Sequence, residues 1–176
     1  MQMSKYLNKL RALGCEKIGS GLYSNVFAVP NTDKVIKVAS GDRWPDYIHW
    51  ATSNGYAGKF APKVFSLKFY EDSDLPGGIF YVAVMERLVD TIGGMKSENM
   101  FHNEQVSLLY GLTSWDNSTC EATDFVAFYN ELRSAGLKND LHDANVMVRK
   151  DGQLVITDPV SGEGSSRFRI KNAELA

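Results

Sequence analysis

The sequence predicts an α+β fold, with five antiparallel strands and one helix in its first half and a mainly helical second half. Three observations carry that expectation. Short runs rich in Val, Ile, Phe and Tyr recur through the first half, separated by turn residues. Two longer segments read as helices after them. A last hairpin signal follows, around Lys150-Asp151-Gly152.

The elements follow in order. Ser4 to Leu13 is a short amphipathic helix, apolar at Leu7, Leu10 and Leu13 and stopped by Gly14. Strands are expected at 15–20, 23–29 and 34–39, with Asn31-Thr32-Asp33 as the turn before the third. Pro45 opens a helix that runs to Ser53 and stops at Asn54-Gly55. Residues 63–70 and 79–86 form a hairpin around 72–78, which is rich in Asp, Gly and Pro. Helices are expected at 98–111 and 121–135, the second with Ser118 and Glu121 as a capping box and Gly136 at its end. Residues 146–149 and 153–157 make the final hairpin.

Bulk properties narrow the function classes. A chain of 176 residues, 44% of them hydrophobic, buries a core without disulfides and makes one compact unit. A net charge of −2 gives no reason to expect nucleic acid or an anionic membrane as partner. Cys15 and Cys120 lie far apart and fit free thiols in a reducing cytosol. The N-terminus carries Lys5, Lys9 and Arg11 without an apolar segment behind them, so the expectation is a cytoplasmic protein.

Chemistry concentrates in four segments. Asp140 is followed five residues later by Asn145, and Asp158 comes thirteen residues after that, behind the apolar run 154–156. Phosphoryl transfer from a nucleotide needs such groups together: a carboxylate for the acceptor hydroxyl, and two oxygen ligands for Mg²⁺. Near the N-terminus, Ile18-Gly19-Ser20-Gly21 supplies a loop whose backbone can approach phosphate, and Val26 and Phe27 resume a strand to cover a base. Alternation places Lys37 on the face opposite Ile36 and Val38. Singly, each has a plainer reading: a flexible hairpin, a half-exposed strand lysine, an aspartate capping a turn. Their occurrence together, in this order, favours nucleotide chemistry.

The segments G-x-G-x-x-S-x-V, V-I-K-V, D-L-H-D-A-N and T-D-P resemble the eukaryotic-type protein kinase superfamily. More narrowly, V-I-K-V, D-x-H-x-x-N-x-M and V-I-T-D-P-V-S are similar to the early serine/threonine protein kinases of T-seven-like bacteriophages, over residues 13–161. The resemblance implies a protein kinase-like fold, with a small five-stranded N-lobe at 13–88, a truncated mainly helical C-lobe at 89–160 and a tail at 161–176. It implies ATP and Mg²⁺ as cofactors. Lys37 would contact the α/β-phosphates, and Asp140 would orient the acceptor hydroxyl and take its proton late. Asn145 would bind one Mg²⁺, and Asp158 would bridge Mg²⁺ to the phosphates. His142 would either neutralise the transferring phosphoryl group or lock its loop by hydrogen bonding. Ile18, Gly19, Ser20, Gly21 and Val26 would cover the nucleotide, and the backbone around Met85, Glu86 and Leu88 would pair with adenine. Asp143 reads as a solvated loop carboxylate, and Trp44, Trp50 and Trp115 read as packing residues.

The departures from the pattern are equally specific. There is no glutamate between Glu16 and Glu71, so the usual helix partner of the lysine is missing, with Asp46 and His49 as weaker substitutes. Pro159-Val160 replaces the phenylalanine and glycine after Asp158, and Lys138-Asn139 replaces the usual histidine and arginine. Eighteen residues follow Asp158, so the expectation is a peptide platform that is absent, reduced or completed by a partner such as a homodimer. The first functional expectation is a minimal phage-type kinase that phosphorylates host proteins and itself. The alternatives are a pseudokinase-like module that binds a host protein and, third, a small-molecule kinase suggested by D-L-H-D-A-N.

Overall fold

The computed structural model describes residues 1–90, 122–137, 145–151 and 153–160, so the expected helix at 98–111 lies outside the described residues. In chain order the elements are α1 (Met3–Ala12), β1 (Glu16–Ser20), β2 (Ser24–Ala28), β3 (Lys34–Ala39), α2 (Trp44–Ser53), β4 (Val64–Glu71) and β5 (Ile79–Glu86). After them come β6 (Val89–Asp90), α3 (Ala122–Ser134), β7 (Val146–Val148) and β8 (Leu154–Ile156). The five expected strands form one antiparallel sheet in the order β1-β2-β3-β5-β4. The final hairpin is also present, and β6 joins it to make a three-stranded sheet. At two residues, β6 is too short to leave a periodic signal in the sequence.

The first helix ends by a mechanism readable from one residue. Gly14 has φ 76°, which an L side chain adopts only with strain, and this turn lets its N–H bond Arg11 O at 3.0 Å and Cys15 N–H bond Leu10 O at 3.0 Å. Leu10 and Cys15 are then buried together. Leu13, expected on the apolar face, is instead 62% exposed, because the helix closes one residue before it.

Strand alternation divides the core between the two faces of the main sheet. Val38 and Phe27 point to the back, where Phe80, Val82, Leu10 and Cys15 join them under α1. Val35 and Ala39 point to the front, against Trp44, Tyr47 and Ile48 of α2. This front core continues through Phe60 into Phe125, Phe128 and Leu132 of α3 and Val146, Leu154 and Ile156 of the hairpin. Tyr56, Phe60, Phe125 and Phe128 meet ring to ring, with Tyr56 and Phe128 at 4.8 Å between centroids. Each buried ring contributes about 1.5–3 kcal/mol from area alone. Trp50 packs on this group, as expected, while Trp115 lies outside the described residues.

Polar contacts fix the hairpin to the end of β5. Arg149 grips the Glu86 carboxylate through two nitrogens, at 2.9 and 2.8 Å, and also donates to the carbonyls of Lys59 and Ala61. Beside it, Lys150 pairs with Asp33 at 2.9 Å, but both side chains are mostly in water. The two bridges should therefore differ sharply in worth. Arg149→Ala leaves a half-buried carboxylate and two carbonyls without their donor, and should lower the unfolding free energy by about 2–3 kcal/mol. Lys150→Ala should cost under about 1 kcal/mol. Urea denaturation of the two variants checks this, and equal losses would refute the ranking.

Candidate functional site

Lys37 sits in the middle of β3, between β2 and β5, on the front face. It is 5% exposed, so its ammonium group has left water and needs compensation. Three neighbours supply it. Asp158 Oδ2 accepts from Lys37 Nζ at 2.7 Å, Asp42 Oδ2 lies 3.9 Å away, and the Trp44 ring stands 4.5 Å beneath.

Helix α2 sets the position of Asp158. Trp44 Nε1 donates to Thr157 O at 2.8 Å, and the Tyr47 hydroxyl donates to Ile156 O at 2.7 Å. Both side chains are fully buried, so the helix is pinned to the chain just before the carboxylate. Thr157 carries the constraint onward, since its N–H and hydroxyl both donate to Asn145 O, at 2.7 and 3.0 Å. Asn145 and Asp158 are thereby registered on one another across the hairpin.

These groups line one cleft of about 630 Å³. Ile18, Gly19, Ser20, Gly21 and Val26 form one wall, Lys37 and Asp158 the inner end, Glu86 and Leu88 the far side, and Asn145 stands on the hairpin side. All ten positions expected from the sequence within the described residues are thus in one place. Asp140 and His142, with Asp143, lie outside the described residues. Val35, Met147 and Val160 add apolar surface that sequence reading did not assign to the site, and Met85, expected there through its backbone, also lines the cleft.

Three details differ from the expectations. Gly19 and Gly21 do not have the left-handed backbone that only glycine adopts easily, whereas Gly41, with φ 76°, does. At Gly21 the limit is space, because an added Cβ would stand 3.3 Å from Ser24 Oγ. Asp46 is not the carboxylate beside Lys37. It pairs with Arg43 at 3.3 Å, and Asp42, which Gly41 turns inward, takes the place beside the lysine. The end of β5 also presents fewer free amides than expected. Glu86 N–H donates to Lys63 O and Arg87 N–H to Asp33 O, both at 3.0 Å.

The Asp42 carboxyl is pushed above the usual carboxylate range by burial, against the opposing pull of Lys37. Tyr81 donates to its Oδ2 at 3.0 Å, and burial together with the Asp42 charge holds the Tyr81 hydroxyl well above its ordinary value. Asp42 Oδ1 and Asp158 Oδ1 are both buried without a hydrogen-bond partner. An orphan carboxylate oxygen on Asp158, with Asn145 lining the same cleft, is a donor set that suits a hard divalent cation. Among the described residues, no group of three or more His, Cys, Asp or Glu could hold an ion. No helix there is long and apolar enough to cross a membrane.

No protein-family profile and no curated protein matches this chain. Among solved structures it is similar to a MAP kinase of Leishmania major, at 15% identity and a TM-score of 0.42, over 89% of this chain and 49% of that one. It is also similar to the PknI kinase domain of Mycobacterium tuberculosis, at 13% identity and a TM-score of 0.37, over 82% of this chain and 56% of that one. The chain spans about half the length of these kinases. Similarity at this level assigns no chemistry.

The raised Asp42 carboxyl has a consequence for stability. The native state holds that proton more tightly than the unfolded chain, so the ionised group subtracts from stability at neutral pH. That subtraction disappears once pH falls below the ordinary carboxylate value of about 4. Asp42→Asn should therefore unfold at a higher temperature than the wild type at pH 7, with the gap closing at pH 3. Calorimetry at the two pH values checks it, and a less stable variant at pH 7 would mean that the Lys37 pairing outweighs burial.

Proposed function

We propose that this chain binds ATP with Mg²⁺ in the cleft and transfers the terminal phosphoryl group to serine or threonine hydroxyls of a protein. The observation that carries this reading is the Lys37–Asp158 ion pair, 2.7 Å long between residues 121 positions apart, with Asn145 lining the same cleft. A buried lysine facing two carboxylates under a glycine-containing loop is an arrangement that receives polyphosphate.

In this reading each residue has a role. The Lys37 ammonium group holds the α/β-phosphate oxygens. Asp158 and Asn145 hold Mg²⁺, which supplies charge neutralisation on the phosphates when bound. Ile18, Val26, Val35, Met147 and Val160 sandwich the base. Because the Glu86 and Arg87 amides are already bonded, the base meets the backbone at Leu88. Asp140 orients the acceptor hydroxyl and takes its proton late, and His142 neutralises the phosphoryl group or locks the loop. The sequence resemblance points the same way, to a minimal phage-type kinase acting on host proteins, and on itself, in the host cytoplasm. Ser161, Ser165 and Ser166 follow Asp158 closely in sequence and are the acceptors proposed for self-phosphorylation, and a homodimer would complete the platform for a protein substrate.

A second reading has its own support. Lys37 directly occupies one oxygen of Asp158, the proposed metal ligand. A protein kept in that state would bind nucleotide or a host protein without transferring phosphate.

Transfer from γ-labelled ATP with Mg²⁺, to the protein itself and to bacterial lysate, separates these readings. Label should appear on serine or threonine and fall by about 100-fold or more in both Asp140→Asn and Asp158→Ala. Absence of label, with ATP still shielding the wild type from heat, would replace the kinase by a nucleotide-dependent binding module. Label on amino sugars in place of protein would support a small-molecule kinase.

A further inference from the structure

We propose that Asp42 and Trp44 form a resting seat for Lys37 which takes over from Asp158 when that carboxylate engages a metal ion, doing the work of the absent helix glutamate. This rests on the nucleotide reading above.

Lys37 has two carboxylates to choose between, and they differ in kind. Asp158 is the nearer, at 2.7 Å, but its side chain is 29% exposed toward the cleft. Asp42 is 3.9 Å away and, at 7% exposure, belongs to the wall, as Lys37 does at 6%. An ammonium group this deep cannot give up one anionic partner unless another takes its place, and nucleotide phosphate, which is itself in the cleft, supplies only part of that. A divalent cation on Asp158 makes that demand, because it competes with Lys37 for the same oxygens.

Asp42 is prepared to answer it. Its Oδ1 is buried and makes no close hydrogen bond, with the Trp44 backbone N–H as the other donor facing the carboxylate. Its Oδ2 is fixed by the Tyr81 hydroxyl at 3.0 Å. Tyr81 in turn stacks on Trp44, with ring centroids 5.6 Å apart and planes 5° from parallel. Trp44 presents its other contact to Lys37 Nζ at 4.5 Å and holds Thr157, next to Asp158, through its indole N–H. The seat and the carboxylate it relieves are thus parts of one packed network. Asp46, the carboxylate that does lie on α2, is paired with Arg43.

Asp42 is a positioning residue here, since it acts on phosphate only through Lys37. Its signature is a dependence on magnesium. Calorimetric titration with a non-hydrolysable ATP analogue, in Mg²⁺ and again in EDTA, reads it out. Asp42→Asn should weaken binding about tenfold with Mg²⁺ and less than about twofold in EDTA, where Asp158 still pairs with Lys37. Tyr81→Phe, which frees Asp42 without removing it, should show a smaller loss in the same direction. Tyr81→Phe carries the contrast independently of any change in stability that Asp42→Asn brings. Equal losses in both conditions would make Asp42 merely structural, and no loss with Mg²⁺ would sink the seat while leaving the nucleotide site intact. A wild type that binds the analogue in neither condition would overturn the nucleotide reading itself, and the seat with it.

Discussion

An ammonium group taken out of water must be faced by negative charge, and most of the site's geometry follows from that demand at Lys37. The lysine is buried because it stands on a central strand, with β2 on one side and β5 on the other. Three groups then converge on it from three places in the chain: Asp42 after β3, Trp44 at the start of α2 and Asp158 after β8. Helix α2 cannot shift without disturbing this, because Trp44 and Tyr47 also bond the carbonyls of Thr157 and Ile156. The apolar burial of α2 and the electrostatics of Lys37 therefore constrain the same helix.

The cleft is also bounded by firm structure on its other sides. The front core runs unbroken from the main sheet through Phe60 into α3 and the hairpin. Arg149 closes the end of β5 against the hairpin with a two-pronged carboxylate grip, a geometry that also fixes orientation. Among the described residues, the walls framed this way are fixed by packing and hydrogen bonds, and less binding energy is lost to ordering groups held so.

Burial at the inner end works against stability. Asp42 and Asp158 each keep a buried oxygen without a partner, and the Tyr47 and Tyr81 hydroxyls are strongly disfavoured from ionising. A fold optimised only for stability would place apolar groups there. Among the described residues, two of the three buried side-chain oxygens without a partner, on Asp42 and Asp158, line this cleft, and the third is the Tyr129 hydroxyl on α3.

The strand and turn pattern by itself determined the five-stranded sheet, the helix opened by Pro45 and the last hairpin, because these are local signals of period and punctuation. It also marked Lys37, Asn145 and Asp158, since their residue types and spacing are unusual together. Only tertiary structure decided which acid stands beside the lysine. Asp42 and Asp46 are the same residue type four positions apart, and the choice between them depends on Gly41's left-handed turn and on where Trp44 packs. The roles of Thr157 and Arg149 were hidden for the same reason: a hydrogen bond between Trp44 and a carbonyl 113 positions away leaves no local trace in sequence. Local physics wrote the elements, and the packing of one helix against one strand end brought their chemistry together.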